Sequence, residues 1–166
     1  YPSGGIERAL LVTPAHAPPP AGDALAPGLW EWSEVRSGVA TVSQPVFEAF
    51  VPQMLNYESL GGVNFKKGCY PGQEVVARSQ FRGTLKRRAY LAWCNAPLKA
   101  GDDLFNTGED QPCGLVVQAA SAPAGGHDAI VSIQISAFEG GVVRLQNPHG
   151  DALQLEAMPY PLLADI

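Results

Sequence analysis

The stretch VSIQISAFEGGVVRLQ, residues 131–146, predicts the fold most directly. Val131, Ile133 and Ile135 alternate with polar residues, which is the pattern of a strand with one buried face. The adjacent Gly140 and Gly141 predict a tight turn, and the apolar residues after them predict a return strand. We therefore predict a β-hairpin whose first strand covers residues 128–138 and whose second strand covers residues 141–147.

Four other apolar runs around this hairpin have the same character, and turn-forming residues separate them. They are residues 87–94, 102–106, 113–120 and 153–158. Six short strands at this spacing predict a small closed antiparallel β-barrel, because closure removes the edges at which chains aggregate. We place a domain boundary near Gly83–Lys86. The predicted fold class is α+β, with an α+β portion at residues 1–84 and a six-stranded barrel domain at residues 85–166.

The first part of the chain predicts both strands and helices. The run IERALLV, residues 6–12, predicts a buried strand, and the alternation in LWEWSEVRSGVATV, residues 29–42, predicts another. Apolar residues recur at helical spacing between residues 46 and 55, behind the N-cap residue Ser43. Pro52 predicts a break in that helix.

Composition limits the classes of function. The chain has 166 residues, of which 46% are hydrophobic and 16% charged, so it is globular. No apolar run approaches the ~20 residues that a membrane span needs, and no secretory signal is visible. We expect a cytoplasmic protein with no membrane partner. Because the first residue is Tyr1 and not methionine, we also expect a fragment or a processed piece.

Basic residues concentrate in one window although the net charge is −5. Seven of the eleven lie between residues 66 and 88, against the single acid Glu74. Two interpretations stay open: a solvated basic face, or a local anion site on an otherwise acidic protein. The seven are Lys66, Lys67, Arg78, Arg82, Lys86, Arg87 and Arg88.

The stretch NFKKGCYPGQEVVAR, residues 64–78, places Cys69 between two lysines and a helix predicted to begin near Pro71 or Gly72. Cysteine reacts as the thiolate, and both the lysines and the positive end of a helix favour that form. Gly68 and Gly72 would let a ligand approach closely. The alternative for Cys69 is a buried structural cysteine.

The other cysteines and the histidines point to no second site. Cys94 and Cys113 lie in apolar strands, so we expect them to be buried and inert. The chain has no C-x-x-C pair, which favours a reducing compartment and argues against a metal held by this chain alone. The three histidines lie in loops away from Cys69, so a cysteine–histidine pair is not supported.

Longer motifs add a resemblance. The run KGCYPGQEVVAR, residues 67–78, continued by FRGTLKRRAY, resembles the K-G-C-Y-x-G-Q-E signature of the YgfZ family. These are folate-binding proteins of iron–sulfur cluster assembly or maintenance, related to the glycine-cleavage T-protein, an aminomethyltransferase. VRSGVATV, residues 35–42, and FVPQMLNYESLGGVNFKKG, residues 50–68, are similar to two further segments of that family. The resemblance covers essentially the whole chain, is to the family's C-terminal half only, and implies a final small β-barrel.

The resemblance implies a site. Cys69 would be the functional thiol, and tetrahydrofolate or a derivative would be the cofactor. Arg36 would contact a carboxylate of the folate tail, unless it pairs with Glu34 or another surface acid. Trp30 and Trp32 would stack on the pterin ring or else belong to the core. The signature residues assigned to cofactor binding are Lys67, Gly68, Tyr70, Gly72, Gln73 and Glu74.

Three functions follow as hypotheses. The first is a folate-binding accessory factor, expected to be monomeric, that acts with iron–sulfur proteins or a transient cluster and through them in tRNA modification. The second is a folate-dependent aminomethyl transferase, but the acidic residue used by the T-protein has no counterpart here. The third is nucleic-acid binding through residues 66–88, against which the net charge of −5 counts.

Overall fold

Helices and 3-10 turns make up the ordered elements in the first part of the described chain, and strands dominate the second part, as expected for an α+β protein. The structure is a computed structural model, and it describes residues 7–81 and 85–163. In chain order the elements are α1 (Pro27–Arg36), two 3-10 turns (Gln44–Val46 and Pro52–Leu55), α2 (Gln73–Phe81), β1 (Arg87–Cys94), β2 (Asp103–Asn106), β3 (Pro112–Ser121), β4 (His127–Gln134), α3 (Ile135–Gly140), β5 (Val143–Leu145) and β6 (Gln154–Glu156).

The six strands form one antiparallel sheet in the order β5-β2-β3-β4-β1-β6. Its centre is the long pairing of β1 with β4, which runs from Arg87–Gln134 to Cys94–His127. The sheet curls, and Arg144 of one edge strand forms an isolated bridge with Ala152, just before the other edge strand. The presence of six strands is confirmed, although the strand predicted over residues 128–138 ends at Gln134, and the predicted barrel is confirmed as far as a curled six-stranded antiparallel sheet.

The predicted hairpin at residues 131–146 is wrong. β4 stops at Gln134, residues 135–140 form α3, and β5 pairs with β2. The Ile135 amide still donates to the Lys86 carbonyl oxygen at 3.0 Å, in the register of the β1–β4 pairing, and from there the chain turns into α3. The apolar residues beyond it then fill the core from a helix: Phe138 stacks on Tyr90 with ring centroids 3.9 Å apart.

Both faces of the central strands are buried. On β1, Tyr90 and Cys94 point into the curl of the sheet, while Ala89 and Leu91 point to the opposite face. That opposite face is covered by α1, which places Val35 against it. This double burial explains why the sequence of β1 is a nearly continuous apolar run.

The strand predicted at residues 29–42 is wrong, because residues 27–36 form α1. Pro27 at the start of the helix has its backbone angle preset for a first helical turn. Trp32 and Val35, three residues apart, then lie on the side of the helix that packs on the sheet. The alternation over the seven residues 29–35 therefore did not distinguish a strand from a short helix with one buried face.

Two other predictions in this region are also corrected. The helical spacing between residues 46 and 55 gives no α-helix but two 3-10 turns, the second of which begins at Pro52 as the proline predicted. Residues 7–12 form no strand, and Leu10, Leu11 and Val12 are exposed. Residues 82–84, where the predicted domain boundary falls, lie outside the described residues, so that boundary stays a prediction. Within the described ranges, no helix has the length and apolar character to span a bilayer.

Candidate functional site

Cys69 is exposed on the loop that leads into α2. At the start of this loop, Asn64 Oδ1 accepts a hydrogen bond from the Lys66 amide at 2.8 Å. Gly72 closes it in a left-handed conformation (φ +83°) that favours glycine, and α2 begins one residue later. The predicted helix start is confirmed, and Cys69 lies three residues before Gly72.

Residues of the signature stretch on either side of Cys69 in the sequence form two pairs. The Lys67 ammonium lies over the Tyr70 ring, 5.0 Å from its centroid. Glu74, in the first turn of α2, pairs with Arg78 at 2.6 Å across the exposed helix surface. Gly68 has open space where a side chain would be. The loop therefore has open space at Gly68, the residue before Cys69, and two lysines that precede the thiol in the chain, while the charge of Arg78 is matched within its own helix.

Gln53 holds α2 in place from beneath. Its side chain is fully buried, and Nε2 donates to the Val76 carbonyl oxygen at 2.8 Å and to Gln80 Oε1 at 3.5 Å. Phe65, before the thiol, packs edge-on against Phe81 at the end of α2, with centroids 5.2 Å apart. The loop that carries Cys69 thus contacts the end of α2 through Phe65 and leads directly into its start at Gln73.

Asn56 joins this unit to the sheet. It adopts a left-handed conformation (φ 59°), and its fully buried amide bonds the backbone of Ala89 twice. Nδ2 donates to the Ala89 carbonyl oxygen at 2.9 Å, and the Ala89 amide donates to Oδ1 at 3.4 Å. Residues 53–56 therefore connect α2 to β1. We predicted no role for Gln53 or Asn56 from the sequence, although polar residues within an apolar run were a usable signal.

The basic window does not form a single face. Arg88 is buried, pairs with Glu58 at 3.5 Å and donates to the Leu163 carbonyl oxygen at 2.6 Å. Arg82 lies outside the described residues. The members exposed among the described residues are Lys66, Lys67, Arg78 and Lys86.

Arg36 lies on the last turn of α1, away from the loop. Its Nη1 pairs with Glu156 at 3.0 Å and with Asp128 at 3.4 Å, and Asp128 also accepts from Trp32 Nε1 at 2.6 Å. Glu34, the acid considered as its partner, pairs instead with Arg8. No hydrogen bond or ion pair joins Arg36 to residues 64–74 in the part of the chain that the structure describes, and its role in folate binding stays a prediction.

The tryptophans and the remaining cysteines have different surroundings. Trp32 packs against the core that α1 covers, whereas about half of Trp30 is exposed, with the Arg8 guanidinium 5.3 Å from its ring centroid. Cys94 and Cys113 are buried, as predicted, and burial raises the pKa of the Cys113 thiol. All three cysteines are among the described residues, and Cys69 is the exposed one. Across residues 7–81 and 85–163, no three acidic, histidine or cysteine side chains come together as metal ligands.

Together these features define a class: an α+β protein whose curled antiparallel sheet supports a loop with an exposed cysteine. No family model matches the chain. It is 33% identical over 168 residues to the tRNA-modifying protein YgfZ of Cronobacter sakazakii, a match that covers 94% of this chain and 51% of the relative. Two proteins of the same name, from Escherichia coli strains SMS-3-5 and O6:K15:H31, are each 32% identical over 136 residues, covering 80% of this chain and 42% of the relative. The chain belongs to the YgfZ family, and it spans about half the length of the curated relatives it matches.

Proposed function

We propose that this chain carries the reactive-thiol half of a folate-binding accessory protein that acts in iron–sulfur cluster assembly or repair, and through it in tRNA modification. The observation that carries the proposal is the exposed Cys69 on a loop fastened to α2. Tetrahydrofolate or a derivative is the proposed cofactor. The name of the relatives, which refers to tRNA modification, agrees with the last step.

The proposed role of Cys69 follows from its surroundings. A thiolate is a soft ligand of iron, and an exposed one can be reached by a cluster carried on another protein. Lys66 and Lys67 place positive charge beside it, which suits an anionic cluster or an acidic partner surface. The contact of Phe65 with Phe81 restricts the loop, so that less conformational entropy is lost when the partner binds.

The proposed contact of Arg36 with folate is supported by the guanidinium donors that do not pair with the described acids. The described acids engage only Nη1, so Nη2 and Nε can still donate to a carboxylate of the folate tail. The partly exposed ring of Trp30 lies on the same helix and offers a stacking surface. In this proposal, Arg36 binds and orients the tail, and Cys69 acts separately on the loop.

The thiol role is tested in the fused polypeptide, in which the unmatched half of the C. sakazakii relative is joined to this chain in the relative's own order. Cys69→Ala is expected to abolish support of iron–sulfur enzyme activity in bacterial cells that lack their own YgfZ-type protein. Cys94→Ala, at a buried cysteine, is the matched control and is expected to retain it. Full support by Cys69→Ala would remove the thiol from the proposal.

The folate role is tested by titrating the fused polypeptide with tetrahydrofolate. Arg36→Ala is expected to weaken binding by about 10- to 100-fold, the value of one charge-assisted hydrogen-bonded contact. Arg144→Ala is the matched control, because Arg144 bonds Thr107 and the Gly150 carbonyl oxygen on the far edge strand. Equal affinity in the two variants would exclude Arg36 as the folate contact.

A further inference from the structure

Two adjacent cations at the start of β1 have no acidic partner. Across residues 7–81 and 85–163, neither the Lys86 ammonium nor the Arg87 guanidinium has an ion pair or a hydrogen bond. The other arginines in those ranges all bond an acid, a hydroxyl or a carbonyl oxygen, and they are Arg8, Arg36, Arg78, Arg88 and Arg144. Because the chain has a net charge of −5, acidic partners are plentiful, and these two cations are free to bind a ligand.

Both cations line a groove where β1 begins and β4 ends. The groove has a volume of about 650 Å³, within the range of roughly 300–1,000 Å³ that is usual for small-molecule sites. None of its described lining residues carries a carboxylate, and Glu139, the acid of α3, is not among them. The lining consists of Leu85, Lys86, Arg87, Gln134, Ile135 and Ser136.

The backbone on the two sides of the groove is fixed by the sheet. Arg87 and Gln134 are directly opposite each other in the antiparallel register of β1 and β4, so their side chains lie on the same face. One residue further on, the Ile135 amide donates to the Lys86 carbonyl oxygen at 3.0 Å, and Ser136 follows within α3. A lining held by a strand pair loses little conformational entropy when a ligand binds.

The side chains of the lining suit a phosphate group. The Arg87 guanidinium can donate two parallel hydrogen bonds to phosphate oxygens, and the Lys86 ammonium adds a point charge. The Gln134 amide and the Ser136 hydroxyl, which have no hydrogen bond in the described chain, can also donate. A phosphate monoester carries about 1.5–2 negative charges near pH 7, so the two cations balance it.

We propose that this groove binds a small molecule through a terminal phosphate monoester, while the partly buried Leu85 and Ile135 contact its organic part. The site is separate from the proposed folate contact. Asp128, which pairs with Arg36, lies near one end of β4 and Gln134 at the other, about 20 Å apart at the usual rise per residue.

The test is a titration of the isotope-labelled fused polypeptide with adenosine monophosphate, followed through the amide NMR signals of residues 85–87 and 134–136. Saturable shifts of these signals are expected. Adenosine, which lacks the phosphate, and dimethyl phosphate, a diester with one charge, are expected to bind at least about 10-fold more weakly. The absence of saturable shifts, or equal binding by either of these two compounds, would overturn the proposal.

Substitution of the two cations gives an independent readout. Arg87→Gln is expected to weaken binding of adenosine monophosphate by about 10- to 100-fold, and Arg87→Lys, which keeps the charge but not the planar fork, by less. Lys86→Gln, at an exposed position where the fold is not at stake, is expected to weaken it by about 10-fold. Lys99→Gln, which removes the same charge from an exposed position between β1 and β2, is the matched control. Equal affinity in Lys86→Gln and Lys99→Gln would contradict the site.

A parallel titration with tetrahydrofolate separates this site from the folate contact. Arg87→Gln is expected to leave tetrahydrofolate affinity unchanged, whereas Arg36→Ala is expected to lower it. A loss in Arg87→Gln as large as that in Arg36→Ala would assign the groove to the folate tail and overturn the proposal.

Discussion

Asn56 is the residue whose replacement most sharply tests how the thiol-bearing unit is joined to the sheet. In an antiparallel strand the N–H and C=O of one residue point to the same side, and those of Ala89 point to Asn56. β6 pairs only with Leu91, Ala92 and Trp93 of β1, so it does not reach Ala89. Asn56→Ala therefore leaves one buried donor and one buried acceptor without their partner.

The expected loss in the free energy of unfolding comes from these two hydrogen bonds and from the left-handed backbone conformation at residue 56. An unsatisfied buried group costs about 1–3 kcal/mol, and the 3.4 Å bond belongs at the lower end of that range. A left-handed conformation costs a residue such as alanine about 1 kcal/mol more. We expect Asn56→Ala to lower the free energy of unfolding by about 3–5 kcal/mol, and Asn56→Gly, which tolerates the conformation, by about 1 kcal/mol less.

Urea unfolding of the isolated chain measures both variants. Asn147→Ala is the control, because exposed Asn147 accepts one hydrogen bond, from the His149 amide at 2.9 Å, and its loss is expected to cost no more than about 1 kcal/mol. A loss below about 1 kcal/mol for Asn56→Ala would refute the buried two-way bond. A glycine variant less stable than the alanine variant would refute the conformational part of the reasoning.

Two further predictions concern thiols and tyrosines. In the folded chain Cys69 is expected to react rapidly with a disulfide reagent, while Cys94 and Cys113 react only on unfolding; a second fast thiol would contradict the burial of those two. Burial raises the pKa of Tyr160 from its usual value near 10, so above about pH 10 the unfolded chain releases this proton first and the folded state loses stability. Tyr160→Phe, which loses the hydrogen bond to the Gly38 carbonyl oxygen, is expected to cost about 1 kcal/mol at pH 8 and to make the alkaline decline shallower; an unchanged slope in urea titrations at pH 8 and pH 10.5 would contradict it.

The strands were the most predictable part of the fold. Turn-forming residues bound each run, and the apolar runs of β1 and β3 match the observed strands within about a residue at each end. Their pairing was less predictable. Residues 131–146 look like a hairpin because the apolar positions of α3 continue the alternation of β4. The sequence does not show that Phe138 stacks on Tyr90, nearly fifty residues earlier, or that β5 pairs with β2.

The helices were harder to predict from the sequence than the strands. The sequence of α1 resembles that of a strand because the buried face of the helix is narrow. Trp32 and Val35 pack on the sheet, while the other side of the helix is exposed. A pattern of seven residues cannot report that a sheet lies beneath it, since that sheet comes from residues 87–156. α2 was predictable because Pro71 and Gly72 act locally.

The candidate site likewise has features that the local sequence predicts and features that depend on distant residues. The exposed position of Cys69 could be anticipated from neighbouring glycines and lysines, which are local signals. Gln53 and Asn56 stand out as polar residues in an apolar run, but their partners, Val76 and Ala89, could not be anticipated because they are more than twenty residues away. The pairing of Arg36 with Asp128 and Glu156 depends likewise on where the sheet places two distant acids.

We propose that the Cys69 sulfur is what this chain contributes to tRNA modification. The most direct measurement is the amount of modified nucleosides in tRNA, by mass spectrometry, from bacterial cells that lack their own YgfZ-type protein and express the fused polypeptide. We predict that the unsubstituted polypeptide and Cys94→Ala restore the modified nucleosides and that Cys69→Ala, folded and equally abundant, does not. Restoration by Cys69→Ala to the level of the unsubstituted polypeptide would contradict the claim.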